Sequence, residues 1–194
     1  FMQDACEANP GAMAAILGVP YERVVEICRH VAESGVVVAA NFNAEKQVVI
    51  SGSMEGIEAA SKIASEHGAR RVIQLAVGGA FHSPLMEPSP LRLKPVLDAL
   101  KFRNAERPVI LNVTGEPTTD AATIKTKLIE QLTAPVLWYP SLMRMKKDGI
   151  DTVIEIGPKR VLLGLAKTVL DRAQLVSLDT AADLEAWAAT PANA

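Results

Sequence analysis

Hydrophobic and polar positions alternate along this chain with two periods, one typical of helices and one typical of strands. An apolar stripe at helical spacing predicts a helix over Pro20–Glu33. A second stripe predicts a helix over Met54–His67, with Ser53 as its N-cap and Gly68 as its stop. Short β-branched or apolar runs between glycines and turn residues predict four strands, at Gly11–Gly18, Val36–Ala40, Gln47–Ser51 and Arg71–Val77.

These elements follow one another as β-α-β-β-α-β over residues 11–77, which is the split βαβ or ferredoxin-like arrangement. Residues 1–10 are predicted to be the end of a helix. In residues 78–194 strands alternate with helices, which predicts an α/β fold with mostly parallel strand pairing. The strands are predicted at Pro108–Val113, Thr152–Ile156 and Gln174–Ser177, and the helices at Pro84–Leu100, Ala121–Leu132, Val136–Lys147, Arg160–Leu170 and Ala181–Ala189.

Composition narrows the class of protein without identifying it. The 194 residues are 49% hydrophobic and 22% charged, as in an ordinary globular protein. A net charge of −2 gives no electrostatic reason to expect nucleic acid or an anionic membrane as partner. No apolar run is long enough to span a bilayer, and the N-terminus lacks the pattern of a signal peptide.

The cysteines and histidines also limit the possible chemistry. The two cysteines, Cys6 and Cys28, lack metal-ligand spacing, and so few cysteines are typical of a reducing cytoplasm. The three histidines show no zinc motif, so no metal is predicted.

The most informative stretch is GGAFHSPLM, at residues 78–86. It places His82 directly before a predicted helix start, with Ser83 as N-cap and Pro84 at the first helical position. A histidine there is either a general base or a structural residue. A base needs a nucleophile, yet the chain contains no G-x-S-x-G elbow, and Ser53 in GSMEG fits a helix cap better. The residues alone therefore give a candidate base without its nucleophile.

Six motifs resemble one known family, in its order and spacing over residues 1–170. They are FMQ, GAMAAILG, NFNAEKQVVISG, GAFHSPLM, QLTAPVLW and EIGPKRVLLGL. Together they are similar to the C-terminal two thirds of the malonyl-CoA:acyl carrier protein transacylases of bacterial fatty-acid biosynthesis. The resemblance implies an α/β-hydrolase-like larger domain, of which residues 78–194 would be the C-terminal part, with residues 11–77 as an inserted ferredoxin-like subdomain.

The resemblance also implies a chemistry, namely ping-pong acyl transfer through a serine acyl-enzyme. His82 matches the family's catalytic histidine, and Gln131 matches the residue whose backbone carbonyl orients that histidine. Gln47 matches a glutamine that lines the active-site cleft, although a glutamine opening a hairpin strand is often a solvated edge residue. The nucleophilic serine, an arginine that binds the malonyl carboxylate and an oxyanion loop match nothing in this sequence, so this chain alone is expected to be inactive.

In related polyketide acyltransferases an A-F-H sequence accompanies malonyl and A-S-H accompanies methylmalonyl. Phe81 therefore either limits the size of the acyl group or simply packs in the core. The implied substrate is malonyl-CoA, without a tightly bound cofactor, and the implied partner is an acidic acyl carrier protein, for which a basic face is expected. Lys159 and Arg160 are the docking residues put forward, with Arg70–Arg71 and Lys146–Lys147 as other basic pairs.

The family is generally monomeric, so the whole protein is expected to be a monomer, and its cysteine content predicts a cytoplasmic location. Two other functions fit the sequence less closely. One is an acyltransferase of a polyketide pathway, and the other is a non-catalytic ligand-binding module or pseudoenzyme.

Overall fold

The computed structural model describes residues 1–190. The backbone contacts divide the chain into two units, Phe1–Ser141 and Leu142–Ala194. The division that the sequence predicts, with boundaries after residues 10 and 77, stays a prediction.

The first unit holds helices α1 to α5 and strands β1 to β6. In chain order they are α1 (Met2–Ala8), β1 (Ala12–Leu17), α2 (Tyr21–His30), β2 (Val37–Ala44), β3 (Gln47–Gly52), α3 (Met54–Glu66), β4 (Arg71–Gln74), α4 (Pro88–Asp98), β5 (Val109–Ile110), β6 (Pro117–Thr118) and α5 (Ala121–Glu130), with short 3-10 turns at Ala32–Ser34 and Pro84–Met86. Helix α6 (Trp138–Lys147) spans the boundary, and the second unit continues with β7 (Thr152–Ile156), α7 (Val161–Ala166), β8 (Gln174–Leu178) and α8 (Ala181–Ala188).

Strands β1 to β4 form one antiparallel sheet in the order β2-β3-β1-β4. Antiparallel pairing is required at β2 and β3, because a two-residue turn can only join antiparallel neighbours. Strands β5 and β6 form a short antiparallel pair, while β7 and β8 pair in parallel, from Thr152 opposite Gln174 to Ile156 opposite Leu178. The expectation of mostly parallel pairing in residues 78–194 is therefore met by only one of the two strand pairs described there, β7 with β8.

Helices α2 and α3 cover one face of the antiparallel sheet. Their buried stripes pack against Ile16, Val48 and Ile50, each of which is 0% exposed. Because side chains alternate along a strand, the neighbouring residues of β1 and β3 point to the opposite face. There Met13 and Val49 belong to a smaller apolar cluster that Phe81 joins. The second face of the sheet is therefore turned toward the segment that carries His82.

Several elements differ from the predicted ones, for local reasons. The helix predicted over Pro84–Leu100 is a 3-10 turn followed by α4, and the proline-marked break falls between Met86 and Pro88. The helix predicted from Val136 begins at Trp138 instead, because the backbone of Val136 is bonded to β2. The strand predicted over Pro108–Val113 retains only two residues.

Candidate active site

His82 lies in a tightly packed turn with an uncommon backbone conformation. Its φ is 59°, in the left-handed region that non-glycine residues rarely adopt. Ser83, fully buried, donates its hydroxyl to the Ala80 carbonyl at 2.6 Å and accepts the Leu85 N–H at 3.2 Å. The backbone at Gly79 presses so closely on Cys6 of α1 that a Cβ there would overlap the sulfur. These contacts hold the turn in place, and with it the direction of the imidazole.

The imidazole of His82 is held by the end of α5. Its Nδ1 lies 2.8 Å from the carbonyl oxygen of Gln131, the C-cap residue of that helix. A carbonyl only accepts hydrogen bonds, so Nδ1 carries the hydrogen and donates it. In this tautomer of the neutral ring, Nε2 keeps its lone pair and can accept a proton. The bond uses a helix-end carbonyl that lacks an i+4 partner in the helix, so the side chain of Gln131 is not required for it.

The segment that follows Gln131 is fixed on both sides. Val136 pairs with the bulged part of β2, where its N–H donates to Ala40 at 2.8 Å and its carbonyl accepts the Phe42 N–H at 2.8 Å. The Leu137 N–H donates to the carbonyl of Asn112 at 2.7 Å. These backbone bonds tie the segment carrying the His82 acceptor to the antiparallel sheet.

Gln47 is the first residue of β3, which lies between β1 and β2. Interpreting it as an edge residue is therefore wrong, since its strand is interior and its side chain is half-buried. Strand alternation places Gln47 on the same face as Val49, the face that Phe81 packs against. The structure thus puts Gln47 and the His82 segment on one side of the sheet.

Phe81 connects two apolar clusters and is itself half-buried. One cluster lies on the sheet, and the other lies between α1 and the His82 turn. Their buried members are Met13, Ala15, Ala40 and Val49 in the first, and Ala5, Cys6 and Met86 in the second. The ring therefore has a packing role between the two clusters.

One polar residue on this face, Asn41, is not among the site residues predicted from the sequence. Its pairing opposite Val49 places it on the same side of the sheet as Gln47, next to the bulge at Ala39 and Asn41. Simple alternation counted from Val37 would assign Asn41 to the helix-covered face, and the bulge reverses this assignment. The face on which Asn41 lies could be predicted only from a sequence signal for the bulge.

Lys159 and Arg160 lie in the second unit, in the loop between β7 and α7, and both are exposed. Lys159 has a φ of 74°, again in the left-handed region. The carboxylate of Glu155 accepts the N–H groups of Leu162 and Leu163, at 3.1 and 3.0 Å, and so caps the start of α7. The loop is therefore anchored at both ends while its two cationic side chains extend into solvent.

Residues 1–190 contain no group of three or more histidine, cysteine and carboxylate side chains arranged to hold a metal ion. In the same range no helix combines the length and apolarity that crossing a membrane requires.

Known proteins of one kind resemble this chain closely, although no family model matches it. The malonyl CoA-acyl carrier protein transacylase of Bacillus subtilis is 45% identical over 186 residues, which cover 95% of this chain and 59% of the relative. A crystal structure of an acyl carrier protein S-malonyltransferase from Vibrio cholerae superposes with a TM-score of 0.88 at 38% identity, covering 95% of this chain and 60% of that one.

A third similar structure contains a type II polyketide synthase acyl-carrier protein in complex with its malonyl-transacylase. It has a TM-score of 0.87 and 35% identity, and the match covers 95% of this chain and 60% of that one. The chain thus spans about three fifths of the length of the relatives that it matches.

Proposed function

Because this chain is a homologue of the malonyl CoA-acyl carrier protein transacylases over 95% of its length, we propose that it supplies the general base of a malonyl transferase of fatty-acid biosynthesis. The observation that carries the proposal is the bond from His82 Nδ1 to the Gln131 carbonyl, which leaves Nε2 free to take a proton. The nucleophile is a serine that lies outside these 194 residues.

In the first half-reaction the serine hydroxyl attacks the thioester carbonyl of malonyl-CoA and gives its proton to Nε2 of His82. The carbon–sulfur bond then breaks, and the imidazolium returns the proton to the departing thiolate of coenzyme A. In the second half-reaction the phosphopantetheine thiol of the acyl carrier protein gives its proton to Nε2 and attacks the acyl-serine ester. The serine oxygen leaves and recovers that proton, which restores the enzyme.

Two neighbouring side chains would contact the substrate. Gln47, half-buried on the sheet face that Phe81 packs against, has an amide that can bond to the malonyl group or to the pantetheine arm. The ring of Phe81, next to the base, would exclude a substituent on the malonyl α-carbon. One methyl group in such a pocket changes the free energy of the transition state by only about 1–3 kcal/mol, so this selection would be moderate.

The proposed architecture is an inserted ferredoxin-like subdomain over residues 11–77, within an α/β-hydrolase-like larger domain to which residues 1–10 and 78–194 belong. An antiparallel sheet of four strands with two helices on one face supports the first part. The parallel pair β7 and β8, with α7 following β7, supports the second. The proposed location is the cytoplasm, and both cysteines are free thiols, as a reducing compartment requires.

The proposed partner is an acyl carrier protein, which would dock in part on Lys159 and Arg160. Their exposure and positive charge suit an acidic surface. No tightly bound cofactor is proposed. A polyketide carrier protein is the second candidate partner, because one similar enzyme is seen with a type II polyketide synthase carrier protein.

The test is a chimera in which this chain replaces the matching segment of the Bacillus subtilis transacylase. We expect the chimera to transfer malonyl groups from coenzyme A to the acyl carrier protein, and His82→Ala to lower kcat by about 10²- to 10⁴-fold. Gln131→Ala is the matched control, since it retains the backbone carbonyl, and its kcat should stay within about threefold of the parent. A folded chimera whose activity survives His82→Ala would contradict the proposed base. A folded but inert chimera would favour a non-catalytic module.

A further inference from the structure

The turn that carries His82 is held by helix α1 on both sides of the histidine. Before His82, the backbone of Gly79 packs directly on Cys6 of α1. After His82, the side-chain amide of Asn9 donates a hydrogen bond to the carbonyl of Leu85 at 3.2 Å. Asn9 is the C-cap residue of α1 and is half-buried. One short helix therefore fixes the backbone both before and after the candidate base.

The carbonyl of Leu85 cannot accept the hydrogen bond that would continue the 3-10 turn. The carbonyls of Ser83 and Pro84 accept the N–H groups three residues later, at 3.0 and 3.1 Å. The equivalent donor for Leu85 would be residue 88, but this residue is a proline and has no N–H. The amide of Asn9 supplies a donor in its place, from an element 76 residues away in the sequence.

The other end of α1 is anchored to α4. Ser89, which is fully buried, donates its hydroxyl to the carbonyl of Phe1 at 3.1 Å. The guanidinium of Arg92 lies 4.4 Å from the centre of the Phe1 ring and also pairs with Asp4. These contacts hold α1 against α4, so Asn9 reaches the turn from a fixed support.

The bond from Asn9 bears on the imidazole because the backbone of the turn is strained. His82 has a φ of 59°, and a non-glycine residue keeps such a conformation only where the surrounding contacts enforce it. The 2.8 Å bond from Nδ1 of His82 to the Gln131 carbonyl depends on the position of this backbone. That bond in turn sets which ring nitrogen carries the hydrogen. Loss of the contact at Leu85 would let the turn relax and weaken the selection of the tautomer.

We propose that Asn9 is a positioning residue for His82. Its bond to the Leu85 carbonyl holds the turn so that Nδ1 donates to Gln131 and Nε2 of the neutral ring keeps its lone pair. The proposal rests on the proposed function in treating His82 as the base, whereas the effect of Asn9 on the tautomer is independent of turnover. Asn9 itself contacts neither the substrate nor the reacting atoms.

The first test is nitrogen-15 NMR of the histidine rings of this chain, at a pH where the ring of His82 is neutral, with His82→Gln to assign its signals. We expect the parent to carry the hydrogen on Nδ1. Asn9→Asp keeps the size of the side chain but, as a carboxylate, cannot donate, so it should raise the fraction with the hydrogen on Nε2 at least about threefold. Asn9→Ala, which adds no charge, should give the same shift. Asn9→Gln retains an amide donor and should restore most of the Nδ1–H form.

The second test measures turnover in the chimera. We expect Asn9→Asp to lower kcat about fivefold, the value of one hydrogen bond, and to leave the KM for malonyl-CoA unchanged. The matched control is Ile27→Val, which lowers stability in the core under α2 without contacting the turn. It should change neither the tautomer of His82 nor kcat.

A tautomer that Asn9→Asp and Asn9→Ala leave as in the parent would overturn the proposal. A fall in kcat without a change of tautomer would give Asn9 a structural role only and would overturn it as well. The two proposals fail separately, because the NMR measurement needs no turnover. If the tautomer shifts while the chimera stays active without His82, the proposed function fails and the positioning by Asn9 stands.

Discussion

At the scale of single residues, Phe81 has a packing role and a proposed role in selecting substrate, and these can be measured separately. Its half-buried ring joins the apolar clusters of the sheet and of α1. We expect Phe81→Ser to lower the free energy of unfolding by about 2 kcal/mol in urea denaturation, because a cavity and a hydroxyl replace the ring. Phe81→Leu retains most of the volume and should cost less than about 1.5 kcal/mol.

The role of Phe81 in selecting substrate is measured as the ratio of the kcat/KM values for two substrates. A loss of stability lowers both values equally and leaves this ratio unchanged. In the chimera, Phe81→Ser should raise kcat/KM for methylmalonyl-CoA relative to malonyl-CoA by roughly tenfold, the value of one methyl group. If the ratio stays constant while stability falls, Phe81 is a packing residue only.

Cys28 provides a prediction for pH dependence. Burial in the α2 core raises the pKa of its thiol from 9.0 to about 12, because the thiolate would be poorly solvated there. The folded state thus holds its proton more tightly than the unfolded state does. The protonated Cys28 thiol therefore contributes fully to the free energy of unfolding below pH 9, and this contribution is lost as the pH rises toward 12.

The same burial makes Cys28 unreactive in the folded protein. We expect iodoacetamide at neutral pH to leave Cys28 unmodified in the native chain and to modify it fully in urea, as peptide mass spectrometry would show. Rapid alkylation under native conditions, without unfolding, would contradict the buried position.

At the scale of elements, the loop from β7 to α7 holds a lysine in a conformation suited to glycine. Lys159 has a φ of 74°, and the left-handed conformation costs an ordinary residue about 1–2 kcal/mol. Glycine avoids this cost, but part of the gain is offset because glycine is more flexible than lysine in the unfolded chain. We therefore expect Lys159→Gly to raise the free energy of unfolding by about 0.5–1 kcal/mol in urea denaturation.

A second variant separates the backbone from the charge. Lys159→Ala removes the charge but keeps a Cβ, so its stability should stay close to that of the parent. If Lys159 docks the carrier protein, both variants should raise the KM for that protein in the chimera to the same extent. A KM that neither variant changes would remove this residue from the docking surface.

The success of sequence-based prediction also differs from element to element. The order of elements through α3 was predictable, because strong periodicity and caps such as Ser53 act locally. The ends of elements were less predictable where tertiary hydrogen bonds decide them, as at Val136, whose backbone pairs with β2. The bulge between Ala39 and Asn41 places Asn41 on the same face of the sheet as Gln47. The alternation of polar and apolar residues in the sequence does not indicate this bulge.

The candidate site was predictable only in part. His82 stood out from its local motif, but its partner Gln131 lies 49 residues away and was named only through the resemblance to a family.

At the scale of the whole molecule, strand β7 exposes an apolar face to solvent. Ile154 and Ile156 point away from Glu155, whose carboxylate holds α7, and they are 40% and 75% exposed. Parallel strands are usually covered on both faces, so a bare apolar face of this kind promotes association. We expect this chain to bind the dye ANS and to self-associate at concentrations on the order of 100 μM.

Replacing both isoleucines by lysine should lower the weight-average mass in sedimentation equilibrium and reduce ANS fluorescence, because charge disfavours stacking of this face on another copy. Leu91→Lys is the matched control, since Leu91 is 69% exposed but lies on α4 in the first unit. If the control reduces association as much as the double variant, the effect comes from net charge rather than from β7. A parent chain that stays monomeric and binds no ANS would show that exposure of this face does not drive association.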